Sequence, residues 1–366
     1  MQYSNDTSRQ NGSLTLRQSE HSAWLDKVLT AQILDLCHSR LYASQESTVR
    51  RQQFVEKIER ICRVEWPERN VKVNVFGSSA NGLATSTSDV DICLTTDWRE
   101  LEDVKIVAQA LEKHGMKSIK WIAKAKVPLV RFIDPEMQLA CDINVNHPLA
   151  IYNTQMVHIF VQIDERVKPL AAIMRYWARR RDLDDAAQGG TFAPYTWLNL
   201  LINFLQMRNP PILPTLHDSN NNNKNNNTVM IRDGRPNKSD RYYAVNVWFN
   251  SDIDSLKGFG SRNKESVGRL LYEFFDTYCN KFDRFNSVIS LRSGSWLSKR
   301  EKGWHVGRFA DQICVEEPFD TMRNLGNTAD DVSAEGIIGE MKRALECLSS
   351  SKRGLQEMCD QYIMTP

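Results

Sequence analysis

The stretch Val75 to Leu94, VFGSSANGLATSTSDVDICL, limits what this chain can become. It reads as a strand, a Gly-Ser turn, a polar run and a second strand carrying Asp89 and Asp91. Residues two apart in a strand share a face, so both carboxylates project together while Val90 and Ile92 pack behind. Two adjacent carboxylates repel, and burying them unpaired is costly. A divalent cation removes that cost and turns the pair into a site. The structural alternative is that one or both sit at a strand end and cap something. The surroundings favour the site. Gly77-Ser78 lies twelve residues before Asp89, directly after a strand, and is placed to open a short helix whose N–H groups can hold phosphate oxygens. A third carboxylate, Asp142, sits in the apolar strand Leu139 to Val145, and a neighbouring strand can bring it beside the pair. Three carboxylates and a phosphate-holding turn are what two-metal phosphoryl transfer needs.

The 366 residues have room for two domains. The net charge of +2 gives no global basic signal, so any nucleic-acid contact must be local. None of the eight cysteines forms a CxxC pair, which points to free thiols in a reducing compartment rather than disulfides or zinc. The N-terminus lacks the apolar core of a signal peptide, and the apolar run Trp197 to Leu205 is too short to span a bilayer. The expectation is a cytoplasmic, soluble monomer with no membrane partner.

Residues 1–20, rich in Ser, Asn, Gln and Thr, read as a disordered tail. Helical periodicity runs from Ala23 to Cys62 with a break before Ser44. Strands are expected at Val71–Phe76, Val90–Leu94, Ser118–Ile122, Val127–Ile133 and Leu139–Val145, with a helix at Leu101–His114. After Pro148 the strands are expected to stop. Helices fill Ala150–Phe160, Arg166–Arg181, Tyr195–Met207, Ser266–Phe282 and Ala334–Leu348. This gives an α/β catalytic domain with a mixed sheet over 44–147, and a mostly helical domain from 21–43 and 148–366. The Asn-rich segment 218–228 reads as a mobile loop.

Phe76-Gly77-Ser78, then Asp89-Val90-Asp91-Ile92, then Asp142 resembles the signature of the DNA polymerase β nucleotidyltransferase superfamily. Further blocks are similar to the Cid1-like terminal RNA nucleotidyltransferases and non-template poly(A) polymerases, from near Ala23 to about Leu348. They are Leu149 to Thr154, Tyr176 to Arg180, Gly190 to Tyr195, and Glu316 to Phe319. The resemblance implies a palm-like catalytic domain, a poly(A)-polymerase-associated helical domain, an active site in the cleft between them, and Mg²⁺ (or Mn²⁺) on Asp89, Asp91 and Asp142. It implies nucleotide contacts from Gly77, Ser78, Asn153, Thr154, Arg175, Arg179 and Tyr195. Asn153 would bond the ribose, Arg175 and Arg179 the phosphates, and Tyr195 would stack under the base. Arg175 and Arg179 stand where lysines are usual in the family. From the residues alone, these are equally a helix cap, a solvated basic face and a core aromatic.

The segment Glu316 to Asn324 matches the family's nucleotide-recognition motif, in which uridylyl-adding relatives carry His where Arg323 stands. Arginine is an obligate donor. Facing a Watson–Crick edge, it suits N3 of cytosine or N1 of adenine and opposes N3–H of uracil, while Glu317 or Asp320 accepts the exocyclic amine. This resembles the fungal CutA-type enzymes, which prefer CTP. The alternative is an Arg323 ion pair with Glu316 or Glu317. The resulting expectation is an enzyme that adds CMP, and AMP second, from CTP and ATP to single-stranded RNA 3′ ends. Poly(A) polymerase, uridylyltransferase and inactive RNA-binding scaffold stand as alternatives.

Overall fold

The computed structural model describes residues 19–125, 127–186, 189–217, 227–232, 242–350 and 354–363. Two compact units divide the chain, one of 42–162 with 216–255, the other of 1–41, 163–215 and 256–366.

The first unit is built on a five-stranded sheet. Its strands are β1 (Lys72–Phe76), β2 (Val90–Thr95), β3 (Lys117–Ile122), β4 (Leu129–Asp134) and β5 (Leu139–Val145), in the order β1-β2-β5-β4-β3. Only the β2–β5 pair is parallel; the rest are antiparallel. The alternation read in the sequence sets which face is buried. In β2 the apolar Val90, Ile92 and Leu94 are fully buried, and the helices Gln45–Glu65 and Val104–Lys113 contribute Phe54, Ile58, Val107 and Leu111 to the same core. The Gln45–Glu65 helix starts where the break was expected, at Ser44, whose hydroxyl accepts from the Ser47 N–H.

This unit is larger than the expected 44–147. The helix Leu149–Ile163 falls with the sheet, because Thr154 bonds Gly77 and Gly82 packs on Val161. The 216–255 segment falls there too. It contains a hairpin of β6 (Thr228–Arg232) and β7 (Tyr242–Asn246), and the Tyr242 hydroxyl donates to Glu102 at 2.7 Å. The Asn-rich 218–228 and N-terminal 1–20 segments fall mostly outside the described residues; Ser19 and Glu20 are helical.

The second unit is mainly helical, but the expectation that strands end at Pro148 does not hold. Besides the β6–β7 hairpin, β8 (Ser287–Ser290), β9 (Ser295–Ser298) and β10 (Cys314–Val315) form a small sheet. These strands are two to four residues long, too short to carry a periodicity, and their pairing supplies what their local pattern lacks. The helices Val167–Arg180, Pro194–Gln206, Val267–Asp276 and Asp331–Ser349 pack on aromatic contacts. Trp177 meets Phe275 edge-on with centroids 5.0 Å apart and Trp197 at 5.2 Å. The N-terminal helical stretch joins them closely. A Cβ on Gly268 would stand 2.2 Å from the Leu25 carbonyl, so only glycine fits there. All eight cysteines are free, and among the described residues no helix is long and apolar enough to cross a membrane.

Candidate active site

The sheet lines up a row of charge. Asp91 on β2 pairs in register with Asp142 on β5; Asp142 pairs with Arg131 on β4, and Arg131 with Lys120 on β3. Directly paired residues share a face, and neighbouring strands lie about 4.8 Å apart. The two carboxylates are thus adjacent by main-chain geometry alone. Asp89 stands one residue before β2 and is exposed; its carbonyl accepts from the Ser79 hydroxyl at 3.2 Å. All three acids lie within electrostatic reach of Cys141. The thiol of Cys141 is pushed far up by burial and, after that, by the charges of Asp91, Asp142 and Asp89.

Gly77 makes room for this group. Its φ of +69° and ψ of −153° lie in a region only glycine enters readily. A Cβ there would stand 2.3 Å from Asp91 Oδ2. The Gly77 N–H donates to the Thr154 hydroxyl at 2.8 Å, and that hydroxyl donates to the Ala150 carbonyl at 2.7 Å. Thr154 therefore helps hold the turn, with one acceptor lone pair left on its hydroxyl. Ser78 begins the single helical turn Ser78–Asn81. Asn153 is different: its side-chain oxygen is buried without a hydrogen-bond partner, an acceptor available to a ligand hydroxyl.

Among the described residues, no three His, Cys, Asp or Glu side chains close into a ready-made metal cage. The carboxylate of Asp142 is held by Arg131, with Nε to Oδ1 at 2.8 Å and Nη2 to Oδ2 at 2.7 Å. An open arrangement still fits a hard cation such as Mg²⁺, which takes one or two carboxylates plus substrate phosphates rather than a full protein cage. The adjacent Asp91 and Asp142, and the space cleared by Gly77, meet that requirement. Arg131 was not singled out from the sequence. Its one signal is its outward position in Leu-Val-Arg-Phe-Ile-Asp, and that says nothing until the register with Asp142 is known. The edge strand β3 also exposes Trp121, at 52 %, beside Lys120.

In the helical unit, Val167, Leu170, Met174 and Trp177 form the buried stripe of the Val167–Arg180 helix. Arg175 and Arg179 lie off that stripe, both within electrostatic reach of Asp184. Burial pushes the Asp184 carboxyl up, and Arg179 and Arg175 pull it partly back. Tyr195 is the second residue of the Pro194–Gln206 helix. Its hydroxyl is buried without a close hydrogen-bond partner, while the residue as a whole is half-buried. Burial and the Glu317 charge push this phenol well up; the Asn199 side chain and the Arg323 charge oppose them. Glu317 and Arg323 therefore lie within electrostatic reach of Tyr195.

The 316–324 segment is braced from within. Glu316 pairs with Lys302 and accepts from Ser290, and Lys302 also donates to the Thr321 carbonyl. Glu317 Oε2 accepts from the N–H groups of Phe319 and Asp320. Asn324 Oδ1 accepts from Val315 and Gly326 N–H, both at 2.9 Å. Asp320 is 6 % exposed and Arg323 half-buried. Among the described residues, Glu316 goes to Lys302, and the Arg323 guanidinium has no carboxylate partner.

Comparison with known proteins gives these features a context. Residues 29–162 match the family described as "Poly(A) RNA polymerase, mitochondrial-like, central palm domain", and residues 266–323 match "Cid1 family poly A polymerase". The chain is 40 % identical over 354 residues to the poly(A) RNA polymerase cid11 of Schizosaccharomyces pombe, covering 95 % of this chain and 70 % of that protein. It is 39 % identical to cid13 of the same organism, also a poly(A) RNA polymerase, covering 90 % of this chain and 56 % of that one. The structure of the Cid1 poly(U) polymerase with MgGTP superposes with a TM-score of 0.77 at 24 % identity, over 92 % of this chain and 99 % of the other. The fold is that of a Cid1-like nucleotidyltransferase, with a palm and a poly(A)-polymerase-associated region. The chain belongs to the Cid1 family of poly(A)/poly(U) polymerases, which are terminal nucleotidyltransferases.

Proposed function

We propose that this protein extends the 3′ ends of single-stranded RNA without a template, with CTP preferred, ATP second and UTP poor. Asp89, Asp91 and Asp142 hold Mg²⁺ or Mn²⁺. When bound, such a cation supplies positive charge that acidifies the attacking 3′-hydroxyl and stabilises the leaving pyrophosphate. Gly77 and Ser78 border the phosphates, and Arg175 and Arg179 hold them through planar guanidinium forks. Asn153 Oδ1, a buried acceptor, takes a ribose hydroxyl. Tyr195 stacks under the base. Lys120, in register with Arg131 on the face of the acids, suits the RNA strand by charge. The eight free thiols suit a reducing compartment, and on that ground we place the activity in the cytoplasm, in RNA tailing and turnover.

The observation that carries the base preference is Arg323, a half-buried guanidinium within electrostatic reach of Tyr195 and with no carboxylate partner among the described residues. It can only donate, so it favours the N3 of cytosine and the N1 of adenine over the N3–H of uracil. Asp320 or Glu317 receives the exocyclic amine, with one Glu317 oxygen also accepting from the Phe319 and Asp320 N–H groups. A second reading, poly(A) synthesis, rests on what cid11 and cid13 are named for, and on the same donor and acceptor order in adenine. Extension of a single-stranded RNA primer with each ribonucleotide in turn separates these readings. CTP ahead of ATP and far ahead of UTP supports the proposal; ATP first supports the second reading. UTP first overturns both, and no extension leaves an RNA-binding scaffold.

A further inference from the structure

The Arg131 fork on Asp142 has no part in the function proposed above, yet it occupies a carboxylate that the chemistry needs. Both oxygens are engaged, at 2.8 and 2.7 Å, by a residue paired directly across the sheet. An ionised carboxylate has about four lone-pair positions, so the fork leaves about one on each oxygen. A cation can still reach Asp142, but only beside a fixed positive charge that repels it. The Arg131 side chain is 55 % exposed and stands on the open face of β4, next to Lys120, where a phosphate can compete for it.

We propose that Arg131 is the standing counter-ion of Asp142, keeping divalent-cation binding at that carboxylate weak until substrate phosphates draw the guanidinium away. This rests on Asp142 being a metal ligand. Its consequence is an order of assembly. Asp89 and Asp91 would hold a cation with the nucleotide first, and Asp142 would become available to one last. Arg131 is thus a positioning residue, acting through Asp142 rather than on the substrate's reacting atoms.

The test is Mn²⁺ binding to the full chain without nucleotide or RNA, followed by electron paramagnetic resonance of the free ion. Arg131→Met should tighten Mn²⁺ binding by about two- to fivefold, the scale of one partly exposed ion pair. Arg131→Lys, which keeps the charge, should stay near wild type. The gain should vanish in Arg131→Met combined with Asp142→Asn. Melting temperatures of all variants establish that they are folded. Unchanged or weaker Mn²⁺ binding by folded Arg131→Met overturns the proposal, as does a gain that persists without the Asp142 carboxylate. Failure of the underlying reading looks different: Asp142→Asn alone would extend RNA within tenfold of wild type, whatever the Mn²⁺ titration shows.

Discussion

The β1–β5 sheet and the 316–324 loop each carry three acidic side chains, but they use them differently. In the sheet the main chain sets the positions. Asp91 and Asp142 are adjacent because β2 and β5 are in register. In the loop, acidic side chains do part of what the ladder does in the sheet. Glu316 anchors to Lys302 and Ser290, and Glu317 holds the backbone at Phe319 and Asp320. The ladder sets where the sheet's acids stand, whereas the loop spends Glu316 and Glu317 on holding its own backbone and neighbours. Substitutions in the sheet should therefore remove chemistry and spare the fold, while those in the loop should first cost stability.

The largest effect expected from this contrast is at the acids. Asp89→Ala, Asp91→Ala or Asp142→Ala should lower primer extension by about a thousandfold or more, since charge stabilisation by a bound cation is worth several kcal/mol. Melting temperatures should hardly move. Residual extension within tenfold of wild type, or a fold lost with the carboxylate, would break the contrast at its strong end.

Gly77→Ala tests whether the main chain sets the position of Asp91. The methyl would meet Asp91 Oδ2 at 2.3 Å, in a conformation that costs a non-glycine residue about 1–3 kcal/mol. Extension should drop by about 10–100-fold, the usual cost of disturbing the groups around a metal ligand, with a rise in the Mg²⁺ concentration needed for half-maximal rate. An unchanged Mg²⁺ requirement would show that the turn does not position the carboxylate.

On the loop side, Lys302→Met should leave Glu316, 4 % exposed, without its cation. Breaking a buried pair from one end costs about 3–5 kcal/mol, so urea unfolding should shift by roughly that much. A change under 1 kcal/mol would mean that other contacts brace the loop, and the contrast with the sheet would weaken.

How far the sequence showed all this follows the same division. The strands around Asp91 and Asp142 were legible because five or more alternating residues state which face is buried. β8 and β10 were not, because Ser-Val-Ile-Ser and Cys-Val are too short to declare a period and become strands only by pairing, β10 with β8 and β8 with β9 as well. The acidic triad could be read from a motif. Its partner Arg131 could not, since cross-strand register is a property of two strands and no single one displays it. Thr154 shows the same limit: its partner Gly77 lies 77 residues away, and nothing near it in the chain says that its hydroxyl is already engaged. Arg323 was visible as a departure from a motif, but its lack of a carboxylate partner was not, because that depends on where Lys302 directs Glu316.

The smallest effect, and the most selective, is expected at Arg323. It contributes its backbone to the loop, donating its N–H to the Asp320 carbonyl and accepting from the Glu317 N–H, so a substitution keeps those bonds. Only the guanidinium is removed, and among the described residues no carboxylate depends on it. Arg323→His should therefore leave stability within about 0.5 kcal/mol of wild type, as at other sites without a structural partner. What should change is the order of bases. A neutral imidazole donates from one nitrogen and accepts at the other, so it can receive the uracil N3–H that arginine opposes. Loss of one polar contact with cytosine and gain of one with uracil, each about 1–2 kcal/mol, should lower the CTP-to-UTP ratio at least tenfold. ATP should weaken along with CTP, since adenine presents the same acceptor. Incorporation of all four ribonucleotides by wild type and variant gives the ratios directly. If the CTP-to-UTP ratio stays constant while activity falls, Arg323 serves the loop like its neighbours; if wild type already prefers UTP, the base is read by other groups.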